Sequence, residues 1–167
     1  MSSEDHKAAA PTQVRVFVLT VSDTRTDATD TSGAAIVDAL KTAGHQVAGK
    51  AIEPDDSSRV AELIRQHASI GDVDAIITSG GTGLTSRDST FEAIDAMLTK
   101  RLPGFGELFR IVSYQYIGAA AMLSRACAGT IGRIVVISLP GSEKAVRLAM
   151  QKLVVPELAH LVQQATK

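Results

Sequence analysis

VDAIITSGGTGLTSRDSTFEAIDAML, residues 73–98, holds a complete strand, loop and helix in one run. Val73 to Thr78 is apolar without a regular polar alternation, which is the pattern of a strand covered on both faces. The chain then enters Ser79-Gly80-Gly81-Thr82-Gly83-Leu84-Thr85-Ser86-Arg87-Asp88, and a loop this rich in glycine has to turn tightly. Ser89 and Glu92 stand at capping-box spacing, and Phe91, Ile94, Met97 and Leu98 form the apolar face of the helix that follows.

Outward from this run the unit recurs. Val14, Val16 and Val18 point to one face and Phe17, Leu19 and Val21 to the other, which predicts a central parallel strand over residues 14–21. Ser22 to Ser32 is a polar loop, and Ile36, Val37, Leu40 and Ala43 then recur at helical spacing up to a stop at Gly44. His45 to Ile52 reads as a weaker strand and Glu53-Pro54-Asp55-Asp56 as a turn. Val60, Leu63, Ile64, His67 and Ala68 mark a second helix. Residues 103–128 read as several short helical or irregular pieces, and Ile134 to Leu139 as a buried strand leading into Pro140-Gly141-Ser142. Two helices close the chain, the second with Pro156 near its start. The prediction is a three-layer α/β/α sandwich around a mostly parallel sheet, with right-handed crossovers, formed by residues 14–167 as one domain. Residues 1–13, polar, Ala-rich and aperiodic, are expected to be a mobile, disordered tail.

Composition narrows the function classes. With 17 Lys+Arg against 18 Asp+Glu, no Trp and only 4 Phe and 2 Tyr, the chain offers no basic stripe or stacking platform, so a nucleic-acid partner is not expected. No apolar stretch approaches the roughly 18 residues of a membrane span, and Met1 to Gln13 has no apolar run of a secretory signal, so the expected location is cytoplasmic. The single cysteine, Cys127, makes no internal disulfide; within Ala126-Cys127-Ala128 it reads as a small core residue. The four histidines show no metal or base spacing.

In open α/β sheets ligands bind beyond the carboxyl ends of the strands, which singles out residues 22–32, 79–88 and 140–142. Backbone amides of Gly80, Gly81, Thr82 and Gly83 can form a concave nest for an anion, with the hydroxyls of Ser79, Thr82 and Thr85 as further donors. No Gly-Lys-Ser/Thr ends the loop, so it is not a Walker loop, and the dinucleotide fingerprint fails at Ser86. If Ser89 caps the helix, Asp88 is left to face the loop, and Asp56 reads as the cap of the second helix. A carboxylate beside a phosphate nest repels the ligand unless a hard cation lies between them, so convergence of Asp55 and Asp88 would imply Mg²⁺. Arg87 and Lys144 are placed to neutralise phosphate oxygens, and Ser142 to cap the helix after it.

Thr78 to Asp88, then Leu102-Pro103-Gly104-Phe105-Gly106-Glu107, Ser124-Arg125-Ala126 and Leu139-Pro140-Gly141-Ser142 resemble, in order and spacing, the MoaB/Mog family of molybdenum cofactor biosynthesis proteins, and are closer to its MoaB branch. The likeness spans residues 14–162 and includes Val21-Ser22-Asp23 and Asp30-Thr31-Ser32-Gly33. It implies transfer of AMP from ATP to the terminal phosphate of molybdopterin, with Mg²⁺ and release of pyrophosphate. The family's metal and catalytic aspartates map onto Asp55 and Asp88. Its ligand-binding segments match residues 79–83 and Pro140-Gly141-Ser142, and a basic position after that turn matches Lys144. It also implies a homo-oligomer, trimer or hexamer, and contact with other proteins of the pathway. The catalytic branch often carries Pro where this chain has Phe91 and Glu143, and some MoaB-branch members lack the acid at the Asp55 position, which this chain keeps. The alternative the resemblance leaves is a protein that binds molybdopterin, or a pathway partner, without transferring AMP.

Overall fold

A computed structural model of the chain describes residues 7–167; residues 1–6 of the expected tail lie outside the described residues. The elements run β1 (Arg15–Val21), α1 (Thr31–Thr42), β2 (Gln46–Glu53), α2 (Ser57–Ile70), β3 (Ala75–Gly80), α3 (Thr90–Met97), β4 (Lys100–Arg101), α4 (Pro103–Ile117), β5 (Cys127–Ile131), β6 (Ile134–Leu139), α5 (Glu143–Ala149) and α6 (Val155–Thr166). The sheet order is β2-β1-β3-β6-β5-β4. β2, β1, β3 and β6 are parallel, while β5 runs antiparallel to both β6 and β4.

The two-sided apolar strands have the consequence read from the sequence: each face carries its own core. Val16, Val18, Ile77 and Ile137 pack under Ile36 and Leu40 of α1, Phe109 of α4, Val146 of α5 and Leu158 of α6. On the other face Phe17, Leu19, Ile76 and Val136 meet Val60 and Ile64 of α2 and Ile94 of α3. This is the expected three-layer sandwich.

Residues 103–128 differ from expectation. They hold one fifteen-residue helix, α4, a 3₁₀ segment Gly118–Leu123 and the start of β5. Pro103 sits in the first turn of α4, where its fixed φ suits the helix and its missing N–H costs nothing. Gly106, Phe109 and Ser113 face inward, while Leu108, Ile111, Tyr114 and Ile117 are exposed on the other side, so the helix is apolar on two faces and its period is hidden. β5 escapes recognition because Cys-Ala-Gly-Thr-Ile has weak strand character. Gly129 is nonetheless required there, since a Cβ would lie 2.2 Å from the Lys100 carbonyl of β4. The two expected closing helices are joined without a break through a π-helical turn, Met150–Val154. Pro156 of α6 cannot donate its amide to the preceding turn, and the wide turn ends just before it.

Candidate functional site

β1, β3 and β6 finish nearly level, with Val21 opposite Gly80 and Ser79 opposite Leu139, so the loops after them meet at one edge. Gly80 turns the chain with φ +90° and Gly81 with φ +69°. A Cβ on Gly80 would lie 2.2 Å from the Val21 carbonyl oxygen, and one on Gly141 would lie 3.3 Å from the Gly80 Cα. The Pro140–Ser142 turn therefore rests against the glycine loop. Ser32, at the start of α1, donates its hydroxyl to the Gly141 carbonyl at 2.7 Å and brings in the third loop. Gly80→Ala is expected to destabilise the fold by at least about 2 kcal/mol, because clash and positive φ act together. Thermal denaturation checks this, with Gly44→Ala, where a Cβ meets nothing within 4 Å, as the control for φ alone.

The acidic turn and the Arg87-Asp88 segment come to this edge as well. Asp55 Oδ1 accepts from the Thr90 hydroxyl at 2.6 Å, and the Asp55 amide donates to Asp23 Oδ1 at 3.0 Å. Arg87 Nη2 donates to Asp23 Oδ2 at 2.6 Å, so one carboxylate ties the Asp55 turn to the end of the glycine loop. Asp88 Oδ2 accepts from both the amide and the hydroxyl of Thr85 at 2.7 Å. Those two bonds, helped by Arg87 and Arg125, hold the Asp88 carboxyl below the usual carboxylate range. Gly83 makes room for it: a Cβ there would fall 2.3 Å from Asp88 Oδ2.

Two local expectations need correction. Ser89 makes no side-chain cap, and Glu92 pairs with Arg125 instead of reaching back to it. Ser79 is 1% exposed, and its hydroxyl, on the α1 face with Ala75 and Ile77, has no hydrogen-bond partner among the described residues; it does not face the loop as a donor. Asp88 does face the loop, where it accepts from Thr85. The two other cap readings hold: Asp56 caps α2 through the amides of Ser58 and Arg59, and Ser142 caps α5 through that of Ala145. Lys144 is exposed in the first turn of α5. Burial pushes the Cys127 thiol up to about 12, which disfavours the thiolate.

Side chains that sequence reasoning left without a role complete the site. Asp23, Thr90 and Arg125 make the contacts that join its parts. Asp30 is 2% exposed, caps α1 by accepting from the Gly33 amide, and also accepts from Thr20 Oγ1 and pairs with Lys50 Nζ at 2.8 Å. Burial raises its carboxyl, but Lys50, Gly33 and Thr20 outweigh that and leave it below its ordinary value. The signal for Asp30 was its helix-cap position before Thr31-Ser32-Gly33.

Two carboxylates with hard oxygen donors suit Mg²⁺, which commonly takes one or two protein carboxylates and completes its shell with phosphate oxygens and water. Among the described residues, Oδ2 of Asp55 and Oδ1 of Asp88 accept no hydrogen bond, and no group of three or more His, Cys, Asp or Glu side chains is clustered as a closed metal cage.

A glycine loop flanked by acids and bases at the carboxyl ends of parallel strands is the arrangement of an α/β ligand-binding domain. A family model described as a probable molybdopterin binding domain matches residues 17–160. Molybdenum cofactor biosynthesis protein B of Bacillus cereus is 52% identical over 162 residues, covering 96% of each chain. A crystal structure of a protein of that name is 51% identical with a TM-score of 0.90, covering 94% of this chain and 98% of its own. The tungsten cofactor synthesizing protein MoaB from Pyrococcus furiosus is 38% identical with a TM-score of 0.82, covering 95% of this chain and 100% of its own. The chain belongs to this molybdenum cofactor biosynthesis family.

Proposed function

We propose that the protein is a molybdopterin adenylyltransferase of cofactor biosynthesis. What carries the reading is the Asp23 carboxylate: by accepting from the Asp55 amide and from Arg87, it gathers two acidic segments at the mouth of the glycine loop. An oxygen of the molybdopterin phosphate attacks the α-phosphorus of ATP; the new P–O bond forms as the α,β-bridging bond breaks, and pyrophosphate leaves. The attacking group is already an anion, so the protein has to position two phosphates and offset their charge rather than supply a strong base. Amides of the glycine loop cradle one phosphate, and Arg87 and Lys144 offset charge around it. Asp55 and Asp88 would hold Mg²⁺, which neutralises phosphate charge when bound. Incubating the pure protein with molybdopterin, ATP and Mg²⁺ is expected to yield adenylylated pterin and pyrophosphate. Tight molybdopterin binding with no product would overturn transfer and leave the binding role.

The reading includes self-association into trimers or hexamers. Leu108, Ile111, Tyr114 and Ile117 of α4 and Met122 and Leu123 after it are all exposed, and Ile111, Tyr114 and Met122 line one groove, an apolar surface suited to another copy. No helix among the described residues is long and apolar enough to cross a membrane. Light scattering is expected to give three or six chains for the wild type and smaller species for Ile111→Lys/Met122→Lys. A monomeric wild type at micromolar concentration would refute the assignment.

A further inference from the structure

We infer that Arg125 is the positioning residue of the glycine loop: by holding two loop carbonyls it turns the amides of Gly83 and Leu84 outward to receive a phosphate. The inference rests on the reading of the loop as a phosphate site and adds what fixes its geometry.

Arg125 lies just ahead of β5, more than forty residues from the loop, and is only partly exposed. Its Nε donates to the Thr82 carbonyl at 3.0 Å and its Nη2 to the Gly83 carbonyl at 2.5 Å. The guanidinium is fixed from two further sides. Nη1 pairs with Glu92 of α3, and Cζ stands 4.5 Å from the centre of the Phe91 ring. Phe91 in turn donates its amide to the Gly81 carbonyl at 3.1 Å.

Planarity of the trans peptide then decides where the amides go. The Thr82 carbonyl shares a plane with the Gly83 N–H, and the Gly83 carbonyl with the Leu84 N–H. In each plane the two groups point in opposite directions. Carbonyls drawn toward Arg125 therefore send both N–H groups away from it. Neither amide donates to a protein acceptor among the described residues, and Gly83 and Leu84 are exposed. Without the guanidinium the glycine-rich backbone is free to flip either peptide and present a carbonyl, which repels phosphate. Lysine cannot replace it, because one ammonium does not span two carbonyls and a carboxylate in a planar fork.

The test uses the full chain and inorganic pyrophosphate, followed through the backbone amide resonances of Gly83 and Leu84. In the wild type both resonances are expected to move on titration. Arg125→Lys is expected to weaken binding about 10-fold or more, the effect of losing donors that hold a charged ligand site, with the melting temperature nearly unchanged. Glu92→Gln keeps both carbonyl bonds and is expected to stay within about threefold of wild type. In the transfer assay Arg125→Lys is expected to raise KM for a phosphate substrate more than it lowers kcat, a split that loss of fold alone does not give. Resonances that stay still in the wild type, or equal affinity in a folded Arg125→Lys, overturn the inference. No adenylylated pterin from the wild type with molybdopterin, ATP and Mg²⁺ would instead sink the transfer reading while the titration still reported on Arg125.

Discussion

Asp88→Asn and Asp55→Asn are each expected to cut turnover about 10²-fold or more, the scale of losing a contact that stabilises the transition state. Both substitutions keep the local frame. An asparagine oxygen at 88 still accepts from Thr85, and one at 55 still accepts from the Thr90 hydroxyl. Charge is what is lost, and with it the ability to hold a divalent cation between protein and phosphate. Melting temperature should therefore move little while the Mg²⁺ concentration for half-maximal rate rises. Full activity in both variants at limiting Mg²⁺ would refute the metal role. Loss in only one would assign the role to that carboxylate alone.

Lys50→Met is the other large effect, and it falls on stability. The Asp30 side chain is fully buried and Lys50 Nζ, at 2.8 Å, is its counter-charge. Removing the ammonium leaves an unpaired carboxylate inside the fold, which costs about 3 kcal/mol or more and should lower the melting temperature by roughly 6–12 °C for a domain of this size. Asp30→Ala leaves Lys50 only the exposed Asp27, takes the partner of the Thr20 hydroxyl and removes the α1 cap, so it should also be damaging. The pH dependence has a defined sign. The Asp30 carboxyl lies below its unfolded value, so its contribution is present above that value, about pH 4, and is lost as pH falls through the depressed folded pKa. The Lys50 ammonium is raised, against the pull of burial, by Asp30 and Asp27. Its contribution is present below the ordinary lysine range and lost as pH rises through the folded value. Acid unfolding of the wild type that Lys50→Met reproduces unchanged would show that the pair adds nothing.

β1, β3 and β6 were legible because strands covered on both faces must be apolar throughout, and no other element of this chain has that pattern. β4 and β5 were not, since their pairing is specified by backbone approach at Gly129 rather than by side chains. α4 hid its period by being apolar outward as well as inward. At the site, strand ends and glycines disclosed the three loops, and Asp56 and Ser142 disclosed themselves by cap spacing. Asp23, Thr90 and Arg125 act through partners 32 to 64 residues away, and no local pattern carries such contacts.

The unbroken rod from α5 through the π-helical turn to α6 begins at Ser142 beside the ligand loops. It ends where the Thr166 carbonyl accepts from Arg133, at the entry of β6 on the far edge of the sheet. Lys167 thus lies on the side remote from the glycine loop. An affinity tag or surface tether attached after Lys167 leaves the ligand edge facing solution, which makes immobilised protein a practical format for the titrations above.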